Sequence, residues 1–347
     1  MSKSSSAAPA QQLLRKRQQA LENWAKQSLD QINAQGEWRI NPLVGDASLR
    51  RYFRAKHSKG QSLMLMDSPA VDGSMAQFID IDQRLIAASV RAPQIYAADH
   101  QQGFMLIEDF GDHLLKQELS KNKIDALFSK NILPTLLGLS KCSGDELPIF
   151  ARKKMQQELD LFSDWHCDQH LKSPIKTNRS SSKNSASDEK HDWRALCELL
   201  ITTLEEIPQS FIHLDFHSCN LLRIDKENIG VIDFQDARQG PISYDLASWL
   251  WDRYISWPRA DIERWIEQAR SVLAAEIDSK TWLRWCDFTG LQRNLKIVGI
   301  FSRLHYRDHK RGYIELMPRF ADYCLDTIKR YPELEFCQPL LKSKLKI

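Results

Sequence analysis

Two hydrophobic periods succeed one another along the chain, and the change falls near residue 111. Residues 11–34 set Leu13, Leu14, Leu21, Trp24, Leu29 and Ile32 on a helical period, which predicts an amphipathic helix. Shorter runs follow in which apolar and polar residues alternate: R-I-N-P-L-V, R-R-Y-F-R-A-K and S-L-M-L-M-D, each predicting a strand. Gly45 to Ser48 fall in the turn between the first two, where backbone N–H groups can face phosphate. A helix is expected around Met75–Ser89, ending before Ala92-Pro93. Two more strands, Q-I-Y-A-A-D and G-F-M-L-I-E-D-F-G, close at Glu108-Asp109-Phe110-Gly111, which reads as a hinge.

Beyond Gly111 the spacing turns helical over roughly 121–140, 148–171 and 191–206, with Pro134 expected to kink the first of these. The polar, Ser-rich stretch 173–191 reads as a flexible insert. N-L-L-R-I and N-I-G-V-I-D, separated by D-K-E, predict a hairpin, and helices fill most of 243–331. The fold class implied is α+β, with two lobes. A disordered tail is expected over 1–10, a helix plus β-rich lobe with its hinge over 11–110, and a larger helical lobe over 111–347.

Composition narrows this without redirecting it. At 347 residues and 42% hydrophobic the chain can bury two substantial cores, and it holds no run of about 18 apolar residues to span a membrane. A net charge of +3 demands neither nucleic acid nor a membrane surface as partner. The first ten residues lack an apolar signal core, and the seven cysteines are scattered with no C-x-x-C pair. That usage reads as reduced thiols in a cytoplasmic protein. His166 and His170, like His305 and His309, repeat at helical spacing. Without the glutamate of H-E-x-x-H they read as solvated helix faces rather than metal ligands. Trp249, Trp251, Trp257, Trp265, Trp282 and Trp285 read as core.

The chemistry is concentrated in H-L-D-F-H-S-C-N, residues 213–220, followed by V-I-D-F-Q-D. Phosphoryl transfer from a nucleotide needs a carboxylate to orient and deprotonate the attacking hydroxyl, and oxygen ligands to hold Mg²⁺ against the phosphates. Asp215 suits the first role, and Asn220 and Asp233 the second. The 18 positions separating Asp215 from Asp233 leave room for a hairpin that returns the second acid beside the first.

In these residues the chain resembles the aminoglycoside phosphotransferase family, which shares the protein-kinase-like fold, and the likeness covers nearly its whole length. G-P-I-S-Y-D-L-A, residues 240–247, adds to it, and there the resemblance implies that Asp245 braces the catalytic loop from below. It also implies ATP and Mg²⁺ as cofactors. Adenine would be seated by backbone groups at Glu108, Asp109 and Phe110, and phosphate would lie near Gly45 and Ser48. D-A-S-L-R-R-Y-F-R (46–54), L-M-D-S-P (65–69), I-D-F-Q-D-A (232–237) and L-Q-R-N-L-K-I-V-G-I-F (291–301) are similar to one branch of the family. H-Y-R-D-H-K-R-G-Y (305–313) joins them. That branch phosphorylates the anomeric hydroxyl of amino sugars recycled from the cell wall, so a small-molecule amino sugar is the implied partner.

One departure stands out. Kinases of this fold carry a lysine on the third strand, paired with a glutamate on the next helix, whereas this strand offers Met66 and the helix offers Asp80, Asp82 and Gln83. Arg50, Arg51 and Arg54 are the nearest cationic substitutes. For the sugar the candidates are His213, Gln235, Asp236, Arg293 and Lys296. The two cations, one helical turn apart, would suit the lactyl carboxylate that N-acetylmuramate has and N-acetylglucosamine lacks. An aminoglycoside or amino alcohol acceptor is the alternative within the fold, and a non-catalytic nucleotide-binding module the alternative outside catalysis.

Overall fold

A computed structural model describes residues 7–32, 36–43, 50–68, 74–119, 123–175 and 188–346. Its contacts divide the chain into two compact units: residues 1–113 with 222–235, and residues 114–221 with 236–347. Expectation placed everything after Gly111 in the second lobe. The observed division is discontinuous, because the segment carrying Asp233 returns to the first unit.

The first unit is an antiparallel sheet backed by a helix. Helix α1 (Ala7–Ile32) is followed by β1 (Trp38–Pro42), β2 (Arg51–His57), β3 (Ser62–Asp67), α2 (Ser74–Ala87), β4 (Ile95–Asp99) and β5 (Phe104–Glu108). The strand order is β1-β2-β3-β5-β4. Alternation along the strands makes two faces. Phe53, Ala55, Leu63, Leu65, Phe104 and Leu106 pack with Leu21, Ala25 and Leu29 of α1. The other face carries Tyr52, Arg54, Met64 and Met66, and the register pairs Tyr52 with Met66 and Met66 with Met105. Residues 7–10, expected in a disordered tail, belong to α1, whereas Leu14 of its apolar stripe is exposed.

The hairpin of β7 (Leu221–Arg223) and β8 (Ile229–Val231) is anchored within this unit, which is why Asp233 lies there. Val231 N donates to Arg91 O at 2.8 Å, Arg223 N to His113 O at 2.8 Å, and Phe234 packs on Phe78 of α2. Gly230 has no room for a side chain, because a Cβ would run into the Phe110 ring.

The second unit is helical. It comprises α3 (Ile124–Leu127), α4 (Leu133–Lys141), α5 (Arg152–Leu161), α6 (Glu189–Glu206), α7 (Tyr244–Leu250), α8 (Arg259–Leu273), α9 (Ser279–Tyr306), α10 (Met317–Arg330) and α11 (Gln338–Lys344). Strands β6 (Gln209–Ile212) and β9 (Arg238–Pro241) pair antiparallel within it. The helix expected over 121–140 is interrupted by a π-helical turn at Phe128–Ile132, just before Pro134 in the first turn of α4. A second π-helical stretch, Phe162–His170, continues α5.

Helix α9 runs through the core, capped by Asp278, whose carboxylate accepts from Lys280 N and Thr281 N at 3.0 Å. Gly299 lets its backbone approach the Leu161–Phe162 backbone. All six tryptophans assigned to the core are buried. His166 is a correction: it is fully buried rather than on a solvated face. Burial pushes it down to about 4, and its Nε2–H donates to Lys344 O at 2.8 Å.

Candidate active site

The catalytic loop, residues 213–220, is built entirely within the second unit. Leu214 takes a left-handed backbone, φ 74°, which a branched side chain adopts only when its surroundings hold it there. Asp245, in the first turn of α7, provides the hold. Its two carboxylate oxygens accept from His213 N at 2.7 Å and Leu214 N at 3.1 Å. A second buried acid does the same further along: Asp252, two turns on, accepts from Ser218 N at 3.1 Å. The expected bracing by Asp245 therefore has a partner that sequence reasoning missed. His213 is buried, with Nδ1 accepting from Asp215 N at 3.3 Å, so its ring helps shape the loop.

Asp215 emerges from this scaffold with its side chain exposed to solvent. The protein packed around it raises its carboxyl pKa, but the charges of Lys296, His217, Arg293 and His213 outweigh that effect and hold it below the ordinary range. The carboxylate is therefore ionised at neutral pH, as a proton acceptor must be. His217 is kept neutral, chiefly by burial and then by Arg253, whose Nη2 donates to its Nε2 at 2.8 Å. Asn220 donates its Nδ2 to Asp215 O at 3.0 Å. With the nitrogen engaged in the loop, the amide oxygen is the end suited to a hard cation.

Arg293 and Lys296 both lie on α9, buried, and both act on Asp215 electrostatically, so the structure brings these two candidates together with the base. Their settings differ. Lys296 Nζ donates to Tyr244 Oη at 2.8 Å and pairs with the buried Glu158 of α5 at 3.4 Å. Burial acts against its charge, yet Glu158, Tyr244 and Asp215 more than compensate, so it remains protonated. Arg293 makes one longer contact, Nη1 to Trp251 O at 3.4 Å. Glu158 and Tyr244 were not foreseen. The one available signal was a buried-helix pattern in α9 interrupted by charges, which obliges partners elsewhere in the core.

In the first unit Asp233 is exposed and also left-handed, φ 63°. Gln235 Nε2 donates to its Oδ1 at 2.8 Å, so Gln235 is placed on the metal-ligand candidate itself. Asp236 is exposed and belongs to the second unit. Each by itself, the Asp233 carboxylate and the Asn220 amide oxygen are donors of the kind that Mg²⁺ prefers.

The structure separates the three arginines. Arg51 is on the α1 side of the sheet, ion-paired with the fully buried Asp67, which also accepts from Arg17 Nε at 2.8 Å. That engagement removes Arg51 from the phosphate candidates. Arg54 is on the face that α1 does not cover, but it is tied to residues 109–112: Nε lies 2.7 Å from Asp109, Nη1 lies 2.7 Å from Asp112, and Gly111 O accepts at 3.3 Å. Arg50 hydrogen-bonds with Tyr52. At the end of β5, Glu108 pairs with Arg91 and accepts from Gln94 N at 3.1 Å, and Phe110 lies beneath the Arg91 guanidinium. Gly45 and Ser48 lie outside the described residues.

Two cavities in the second unit border none of these residues, and a third, of about 470 Å³ in the first unit, is lined by Arg51 together with Arg15, Gln18 and Gln19 of α1. One of about 630 Å³ in the second unit is lined by Asp160, Asp164, Asp168, Trp193 and Glu198, among others. None of the sequence-predicted site residues borders it, so it is set aside as the acceptor site. A smaller one of about 290 Å³ includes Ser256 and Arg319. It adjoins the loop after Asp252, since Arg319 Nη1 donates to Arg253 O at 2.6 Å.

Residues 39–285 match the model of the phosphotransferase enzyme family. Over 330 residues the chain is 32% identical to the N-acetylmuramate/N-acetylglucosamine kinase of Pseudomonas putida, covering 92% of this chain and 94% of that one. It is 33% identical over 328 residues to the kinase of the same name from Neisseria meningitidis, covering 92% and 93%. Among solved structures, the Plasmodium vivax ethanolamine kinase shares the fold, with a TM-score of 0.58 over 88% of this chain and 84% of its own at 12% identity.

Proposed function

The chain belongs to the phosphotransferase enzyme family, and from that premise we propose that it transfers the γ-phosphoryl group of ATP to the anomeric hydroxyl of N-acetylmuramate or N-acetylglucosamine in the recycling of cell-wall sugars. The observation that carries this reading is an ionised Asp215 on a doubly braced loop, with the buried cations Arg293 and Lys296 acting on it. Buried positive charge beside the base favours an acceptor that is neutral or anionic, and disfavours the cationic aminoglycosides and amino alcohols.

In the mechanism Asp215 orients the acceptor hydroxyl and takes its proton as the sugar oxygen bonds to the γ-phosphorus and the bond from that phosphorus to the β,γ-bridging oxygen breaks, releasing ADP. An anomeric hydroxyl is more acidic than an ordinary alcohol, so one carboxylate is an adequate base. Asp245 and Asp252 keep the loop rigid while the proton moves. Asn220 and Asp233 would hold Mg²⁺, which when bound neutralises charge on the phosphates. Arg293 is the better partner for a lactyl carboxylate, because Lys296 is already compensated by Glu158. The setting we propose is the cytoplasm. Among the described residues no helix is long and apolar enough to cross a membrane.

The test is a panel of acceptors assayed for phosphate transfer, with the site of phosphate on the product assigned by ³¹P and ¹H NMR. Transfer to carbon 1 of both acetamido sugars is expected. Transfer only to an aminoglycoside or an amino alcohol, or to a different sugar hydroxyl, would defeat the reading.

A further inference from the structure

The third strand lacks the lysine that kinases of this fold use to hold nucleotide phosphates, and the first unit contains what can replace it. Met66 occupies the strand at that level, fully buried and paired in register with Met105. Directly opposite it on β2 is Tyr52. Residues opposed across an antiparallel pair share a face, so Tyr52 and Met66 both lie on the face that α1 does not cover. Arg50, the residue just before β2, hydrogen-bonds with the Tyr52 side chain, which brings its guanidinium to the tyrosine on that face. A guanidinium only donates, so Tyr52 Oη accepts and retains its own O–H as a second donor.

Three further facts single out this pair. Arg51 is on the opposite face, held by Asp67. Arg54 is held by Asp109, Asp112 and the Gly111 carbonyl. The charge of Asp233 acts on Tyr52 within the same unit, so the metal-ligand candidate lies within electrostatic range of the pair.

From this juxtaposition we infer that Arg50, oriented by the Tyr52 hydroxyl, supplies the phosphate-binding cation that strand three lacks. A guanidinium suits the task differently from an ammonium: its planar fork can take two phosphate oxygens at once, provided something fixes its plane. Tyr52 does that here, and is a positioning residue. The inference builds on the phosphotransferase reading, but it requires only that the chain bind a nucleoside triphosphate.

Isothermal titration with ATP and with adenosine, both with Mg²⁺, tests it on the full chain. Arg50→Met is expected to weaken ATP about 10- to 150-fold, the usual worth of a charge-assisted contact, and to leave adenosine within about twofold. Tyr52→Phe keeps the ring beside Met66 and removes only the hydroxyl, so a smaller loss of about 2- to 10-fold is expected for ATP alone. Arg39→Met removes the same charge from an exposed position on β1 and should change neither affinity. ATP affinity within threefold of wild type in Arg50→Met would overturn the inference, as would equal losses for ATP and adenosine. If Arg50→Met does not fold, Tyr52→Phe decides, and unchanged ATP affinity there overturns it. Arg50-dependent ATP binding without sugar phosphorylation would leave this inference standing and defeat only the sugar reading. Sugar phosphorylation with Arg50-independent ATP binding would do the reverse.

Discussion

Asp245→Asn separates what the loop brace does for activity from what it costs in stability. Burial of Asp245 pushes its carboxyl up from 3.8 to about 6 in the folded protein, with the Asp215 charge adding to it, even though His213 and both backbone N–H donors favour the charge. A carboxyl raised in the folded state contributes stability that is fully present below its unfolded value and is lost as pH rises through the folded value. At about 1.36 kcal/mol for each pH unit between the two values, ionising Asp245 costs about 3 kcal/mol of stability between pH 4 and pH 7. Asparagine does not ionise. The stability difference between variant and wild type should therefore shift by about 3 kcal/mol in favour of the variant on going from pH 4 to pH 8. Catalysis moves the other way. An amide can accept only one of the two N–H bonds and turns a donor toward the other, leaving Leu214 in its left-handed conformation with half its restraint. Strain of about 1–3 kcal/mol then works against the loop, and kcat should fall about 10- to 100-fold. Urea unfolding followed by tryptophan fluorescence at a series of pH values, alongside turnover at pH 8, measures both effects. A stability difference independent of pH, or a variant with wild-type kcat, would refute the argument.

Asp215→Asn should lower kcat about 10²- to 10⁴-fold while ATP binding by titration stays near wild type; turnover within threefold would remove Asp215 as the base. Asp233→Ala should abolish the Mg²⁺-dependent part of ATP affinity, and an unchanged metal dependence would move the ligand elsewhere. Arg293→Met should raise KM for N-acetylmuramate about 10-fold or more and hardly change that for N-acetylglucosamine, whereas equal effects on both sugars would assign it a purely structural role. Gly299→Ala should lower stability by about 2 kcal/mol or more, because its Cβ meets the Leu161 backbone, which cannot swing aside; a thermal midpoint equal to wild type would contradict that packing.

Much of this molecule was legible one residue at a time. Alternation in β2 and β3, the helical periods after Gly111, the hairpin around Asp225 and the order of Asp215, Asn220, Asp233 and Asp245 are local patterns, and the structure contains them as elements in that order. Interruptions were less legible. The π-helical turns at 128–132 and 162–170 fall inside stretches that read as continuous helices in the sequence, 121–140 and 148–171. Whether a charge is a ligand or a strut was not legible at all. Arg50, Arg51 and Arg54 read alike along the strand. The pleat and the cover of α1 send Arg51 to Asp67, while the segment 109–112 captures Arg54, leaving Arg50 with Tyr52.

Lys296 looked like a free cation one turn from Arg293 until the fold set Glu158, 138 positions away in the chain, against it. Likewise Asp252 carries no motif, and becomes a brace only because α7 ends beneath the catalytic loop. Local periodicity depends on the backbone conformation of neighbouring residues, and so it is written in their order. Charge compensation in a core depends on which distant side chains share a low-dielectric space, and only the packing of the helices decides that.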